Sequence, residues 1–115
     1  MEAPLSKSKR TYTNYTVEAT DVLGKLIKLG RKRKRMTEND LAERLGIARS
    51  TLRRIESGNT RVEIGLFFEA AALTGVPLFD EEQGFVYRLS DRVNDKIALL
   101  PKHIYKVQEP VDDDF

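Results

Sequence analysis

The chain has 115 residues, 40% of them hydrophobic and 33% charged, with a formal net charge of +2. That suffices for one modest core and is too little for a multidomain enzyme. Cysteine is absent and His103 is the one histidine, which excludes disulfides, thiolate zinc sites, cysteine nucleophiles and paired-histidine metal sites.

Residues 1–15, MEAPLSKSKRTYTNY, are polar, basic and aperiodic, and read as a flexible arm. From about Val17, the residues Val22, Leu23, Leu26, Ile27 and Gly30 recur at three- and four-residue steps. This predicts an amphipathic helix ending in the RKRKR run at 31–35, whose cations suit a helix C-terminus. Thr37 is placed to cap a second helix, with Glu38 and Asp40 in its first turn. Leu41, Ala42 and Leu45 form its apolar face, and Gly46 closes it in the left-handed conformation. A third helix is expected from Ala48 to Glu56, with Leu52 and Ile55 inward, broken by Ser57-Gly58-Asn59.

Thr60 and Glu63 have the spacing of a capping box, followed at helical intervals by Ile64, Phe67, Phe68 and Ala71, with Phe67 and Phe68 assigned to the core. Gly75 and Pro77 end that fourth helix. Asp80 and Gln83 repeat the box, and Val86, Leu89, Val93, Ile97 and Leu100 stripe a fifth helix stopped by Pro101. Only residues 104–107 hint at strand alternation. The expected fold is all-α, a compact bundle of four to five short helices. It divides into an arm (1–15), a helix-turn-helix domain (16–79), a C-terminal helix (80–101) and an acidic tail (102–115).

Charge is unevenly spread. Residues 1–35 carry ten Lys/Arg against three acids, residues 36–75 five against six, and residues 76–115 five against nine. A basic front fits a polyanionic partner, and two solvated faces of opposite sign explain it equally well. The stretch 38–56, ENDLAERLGIARSTLRRIE, decides between them. Ala42 is small where two helix axes approach, Gly46 tolerates positive φ, and Ile47, Leu52 and Ile55 are spaced to bury the second helix on the first. That leaves Arg49, Ser50, Arg53 and Arg54 outward. A solvated helix face usually mixes Glu and Lys; three arginines and a serine suit base edges and phosphates in a major groove.

Residues 23–78 resemble the Xre family, the lambda-repressor-like helix-turn-helix class, through LGKLIKLGRKRKRMTENDLAERLGIARSTLRRIESGNT and the helix ending LTGVPL. The resemblance implies a compact all-α domain, usually dimeric on double-stranded DNA, whose third helix enters the major groove. By position it makes Arg49, Ser50 and Arg53 candidates for base edges, and Thr51, Arg54, Asn59 and Arg61 candidates for phosphate or flank contacts. The family often has Gln where this chain has Glu38, beside the capping Thr37. A carboxylate there repels phosphate, so either it turns away or the docking differs; it also suits a helix N-terminus without any DNA.

Around this centre the alternatives stay open. The 31–35 run, Lys34 with it, is either a phosphate-facing rim or a solvated helix end. Lys7, Lys9 and Arg10 either enter a minor groove or belong to a basic tail. The fifth helix either finishes the core or pairs two copies, since one recognition helix reads only a few base pairs and half-sites lie about 34 Å apart. The tail EPVDDDF is a solvated end or a linear motif with Phe115 as its anchor. A domain of this class with a helical extension and an acidic aromatic tail resembles the HipB-like antitoxins. That resemblance implies a homodimer on a palindromic operator that represses its own operon and holds a HipA-like kinase toxin. The rival readings are a protein-interaction module that neutralises its partner, with DNA secondary, and a stand-alone regulator. No apolar run nears the roughly 18 residues of a membrane span, no apolar leader is evident, and no nucleophile–base pair, phosphate loop or metal cage is present. The expectation is a cytoplasmic protein, not an enzyme, with no cofactor and no membrane.

Overall fold

The computed structural model describes residues 11–79, 82 and 84–106. The described residues form five helices and no strand: α1 (Asn14–Arg33), α2 (Glu38–Leu45), α3 (Arg49–Glu56), α4 (Ile64–Thr74) and α5 (Phe85–Ala98). The all-α expectation holds, and residues 104–106 are irregular rather than extended in a ladder. The chain divides into two units, residues 1–78 and 79–115.

In the first unit, α1 and α2 each pack on both α3 and α4. Ile27, Leu41, Leu52 and Ile55 are fully buried, and Ala42, Phe67, Ala70 and Ala71 complete the core around them. The inward face of α1 differs from the apolar stripe of the sequence. Val22 and Leu26 are exposed, while Leu23, Gly24, Ile27 and Arg31 face inward. Backbone proximity explains the shift. A Cβ on Gly24 would stand 2.5 Å from the Ile55 carbonyl oxygen, and one on Gly30 would stand 2.4 Å from that of Thr74. Two glycines thus let α1 lie directly against the ends of α3 and α4, a packing that hydropathy does not register. Phe68, assigned to the core from its neighbour, is 41% exposed; only Phe67 points inward.

The helix ends follow one device. After each of α1 to α4 a residue of positive φ is followed by one whose N–H returns to a carbonyl five residues back: Met36 to Arg31, Ile47 to Ala42, Asn59 to Arg54 and Val76 to Ala71. This is the Schellman closure, and glycine favours it because a Cβ disfavours the left-handed region. Gly46, Gly58 and Gly75 supply it; after α1 the residue is Arg35, at φ 60°.

Two helix starts are corrected. α1 begins at Asn14, inside the expected arm, because the Thr13 hydroxyl accepts from the Thr16 N–H. Its first turn is exposed, Tyr15 80% so, and therefore carries no apolar signal. The expected Thr60–Glu63 box does not form, and Glu63 itself is the N-cap of α4 without a side-chain cap bond. Asn59 organises this loop instead: its Oδ1 accepts from the Arg61 N–H at 2.8 Å and its carbonyl from Val62 at 3.3 Å.

The second unit contains α5, which starts at Gly84 in the left-handed conformation and buries none of its side chains. Val86, Val93, Ile97 and Leu100 of the expected stripe are exposed, and Leu89 is half-buried. Asp80 and Gln83 of the expected second box, Lys7, Lys9 and Arg10 of the arm, and Phe115 lie outside the described residues. Among the described residues no helix is long and apolar enough to cross a membrane.

Candidate nucleic-acid interface

α2 and α3 meet across three residues, Gly46 to Ala48, and the corner is built from local chemistry. Thr37 caps α2 reciprocally with Asp40: the Thr37 hydroxyl accepts from the Asp40 N–H at 3.0 Å, and the Asp40 carboxylate accepts from the Thr37 N–H at 2.8 Å. That second bond holds the Asp40 carboxyl below the usual carboxylate range. Gly46 turns the chain at φ 70° with open space around its Cα, so the requirement there is conformational rather than steric. Ala42 is buried under the corner, with Leu52 and Ile55 fully buried on the facing side of α3 and Ile47 partly buried against them.

Burial of Leu52 and Ile55 turns the rest of α3 outward, as the spacing predicts. Arg49, Ser50, Arg53 and Arg54 are exposed and Thr51 is half-buried. Glu56 is not the solvated helix end that its position suggests. It is buried against Arg31 of α1, accepting from Nε at 2.7 Å and Nη2 at 3.2 Å, while Nη1 donates to the Met36 carbonyl at 3.0 Å. The hydrogen bond to Glu56, with its charge, pushes the Arg31 pKa up from an already high value against the opposing effect of burial. One residue of the RKRKR run is therefore a structural cation tying α1, α3 and the approach to α2 together. A lone Arg and a lone Glu 25 positions apart give no sequence signal for this pairing.

The candidate residues fall into three places. Arg49 and Arg53 come together at Glu38, whose Oε1 lies 3.4 Å from Arg49 Nη2, 3.1 Å from Arg53 Nη2 and 3.2 Å from Arg53 Nε. Hydrogen bonding from Arg53 chiefly, then the charges of both arginines, holds the Glu38 carboxyl below its ordinary range. The Glu38 side chain crosses from the start of α2 to the arginines of α3. Thr51, Arg54, Asn59 and Arg61 line one cleft together with Val62, Glu63 and Leu66. There Arg54 Nη2 lies 3.4 Å from the Thr51 hydroxyl, which accepts from it. Lys34 stands apart from both groups, in a cleft with Leu26, Leu29, Thr74, Gly75 and Pro77.

Residues 27–80 match the family model described as Helix-turn-helix. Over this stretch, a little under half of the chain, the sequence is similar to that family. The match takes in the last third of α1 and all of α2, α3 and α4. No curated protein and no solved structure matches the chain. Domains of this family are the DNA-binding parts of transcription regulators, and in such domains the second helix of the pair is the one that enters the groove. In this chain the second helix of the pair is α3.

Proposed function

We propose that the protein is a sequence-specific DNA-binding repressor that reads the major groove with α3. One observation carries this reading: the exposed side of α3 is cationic, with Arg49, Arg53 and Arg54 outward around Ser50. Arg49, Ser50 and Arg53 address base edges, the arginines as bidentate donors to guanine. Thr51, Arg54, Asn59 and Arg61, gathered in one cleft, address phosphates and set the register. Lys34 serves as a more distant electrostatic contact. Two copies pair through the exposed Val86, Val93 and Ile97 stripe of α5, which places two recognition helices on a palindromic operator. The acidic, aromatic end of the sequence, with Phe115 as anchor, supports a further role as the antitoxin of a HipA-like kinase that represses its own operon.

Fluorescence anisotropy with the chain's own upstream DNA and a scrambled duplex, at physiological salt, tests the central claim. A preference of about a thousandfold or more is expected of a specific regulator. Equal, weak and steeply salt-dependent binding to both duplexes would reduce the cationic face to a non-specific footprint. Co-purification from the native operon tests the finer claim. A stoichiometric kinase that is lost on deleting residues 109–115 is expected, and a protein that purifies alone is a stand-alone regulator.

A further inference from the structure

The reading helix carries an unusual neighbour. Arg49 and Arg53 stand four residues apart on α3, where like charges repel each other. Glu38, the first residue of α2, reaches across the corner and puts one carboxylate oxygen within 3.4 Å of both guanidinium groups. A helix-dipole role explains a carboxylate at that position. It does not explain why the side chain leaves its own helix end for the arginines of another. Stability does not explain it either, because all three side chains are substantially exposed, at 30% for Glu38, 49% for Arg49 and 60% for Arg53. Exposed ion pairs of this kind add little to a fold.

Recognition explains it. We propose that Glu38 is a specificity-determining positioning residue, clamping Arg49 and Arg53 so that the pair is less attracted to phosphate and better aligned for guanine. This rests on the DNA-reading function proposed above. The clamped trio has a net charge of +1 where the two arginines alone would have +2. Non-specific attachment to DNA scales with the phosphates neutralised, so the carboxylate weakens binding to every duplex alike. A guanine asks for something else: two parallel N–H groups at O6 and N7 in a fixed plane. Glu38 engages Nε and Nη2 of Arg53 and makes no contact with Nη1, so a base approaching along the side-chain axis can still meet Nη1 and the second N–H of Nη2. A guanidinium already held in place loses less freedom on binding, which returns to the correct sequence what the charge removes from all sequences. Discrimination rises as general affinity falls.

The test uses the full chain with Glu38→Gln and Glu38→Asp. Each is titrated against the tightest duplex enriched from a randomised pool and against a scrambled duplex, between 50 and 200 mM salt. Glu38→Gln is expected to tighten scrambled-duplex binding on the order of tenfold near 0.1 M salt and to steepen its log–log salt slope by about 0.9. The enriched duplex gains nothing, so the preference falls by about the same tenfold. Glu38→Asp keeps the charge without the reach: scrambled-duplex binding stays weak and enriched-duplex binding weakens. Thermal midpoints of both variants fall little, that of Glu38→Gln by no more than the loss of one carboxylate at a helix N-terminus. An equal gain on both duplexes, or an unchanged scrambled-duplex slope, overturns the clamp while leaving the DNA-reading function in place. A wild-type chain that enriches no sequence overturns both.

Discussion

The first unit holds two arginine–glutamate constellations of the same chemistry in opposite surroundings. Between α1 and α3, Arg31 and Glu56 are both buried and joined by two N–H···O contacts, and Arg31 also donates to the Met36 carbonyl. At the mouth of the α2–α3 corner, Glu38 meets Arg49 and Arg53 in the open, through a single oxygen at 3.1–3.4 Å. Burial decides what each one does. A buried charge must keep its partner, because an unpaired one has lost water and gained nothing. An exposed trio adds little stability, because water and salt screen it, yet it still sets how much positive charge the surface offers and where the donors point. The first constellation belongs to the fold and the second to the face proposed to read DNA.

Breaking the buried pair has the largest expected effect. Glu56→Gln strands the Arg31 guanidinium and costs about 3–5 kcal/mol, read as a lowered urea midpoint at unchanged m-value. Replacing both partners by apolar residues of similar volume recovers much of that loss, which a single charge-removing change cannot do. Breaking the open trio acts on recognition instead. Arg53→Ala costs about 1–3 kcal/mol at the preferred duplex and relaxes base choice there, with the urea midpoint little moved. A variant that weakens preferred and scrambled duplexes equally would transfer Arg53 to the phosphate contacts.

Next in size comes the end of α1, beside the buried pair. Arg35 adopts φ 60°, where an L residue costs about 1–2 kcal/mol relative to glycine. Arg35→Gly is therefore expected to raise stability by up to about 1 kcal/mol, after its own entropic cost in the unfolded chain. No gain would mean that the Arg35 side chain makes compensating contacts.

The smallest effect sharpens the contrast by titration. Because the Glu38 carboxyl is held low in the folded chain, its pairing contributes in full above the ordinary glutamate pKa and is lost as pH falls through the lower folded value. A carbon-detected NMR titration of the Glu38 carboxyl should show the low midpoint. It should rise further in Arg53→Ala than in Arg49→Ala, since the Arg53 hydrogen bond is the main cause.

The same contrast separates what was legible in the sequence from what was not. Local signals were readable. Thr37, Gly46 and Gly75 sit where their chemistry places them, and Leu52 and Ile55 point inward so that the arginines of α3 point out. Their causes act within one or two helical turns. Long-range causes were hidden. Arg31 reads as one of five interchangeable cations, and its burial depends on Glu56 arriving from another helix. Gly24 and Gly30 are defined by backbone that approaches them from elsewhere, so Val22 and Leu26 looked like better core residues. Glu38 was visible as a departure from the Gln that the family resemblance leads one to expect, but its reach to Arg49 and Arg53 follows from the angle of the corner, which no spacing rule contains. The Thr60–Glu63 spacing fits a capping box, and Asn59 won the competition for that loop with a tighter local turn.

The proposed recognition helix, α3, is also very short. α2 and α3 have eight residues each, just over two turns. Helices under about 12–15 residues barely persist alone in water. α3 is therefore held by Leu52, Ile55 and Glu56, all supplied with partners by other helices, and has no partly folded form in which to search for its target. Its lifetime is the lifetime of the core. Heat, acid or a protease that opens the core does not blunt the reading surface by degrees but removes it in a single cooperative step.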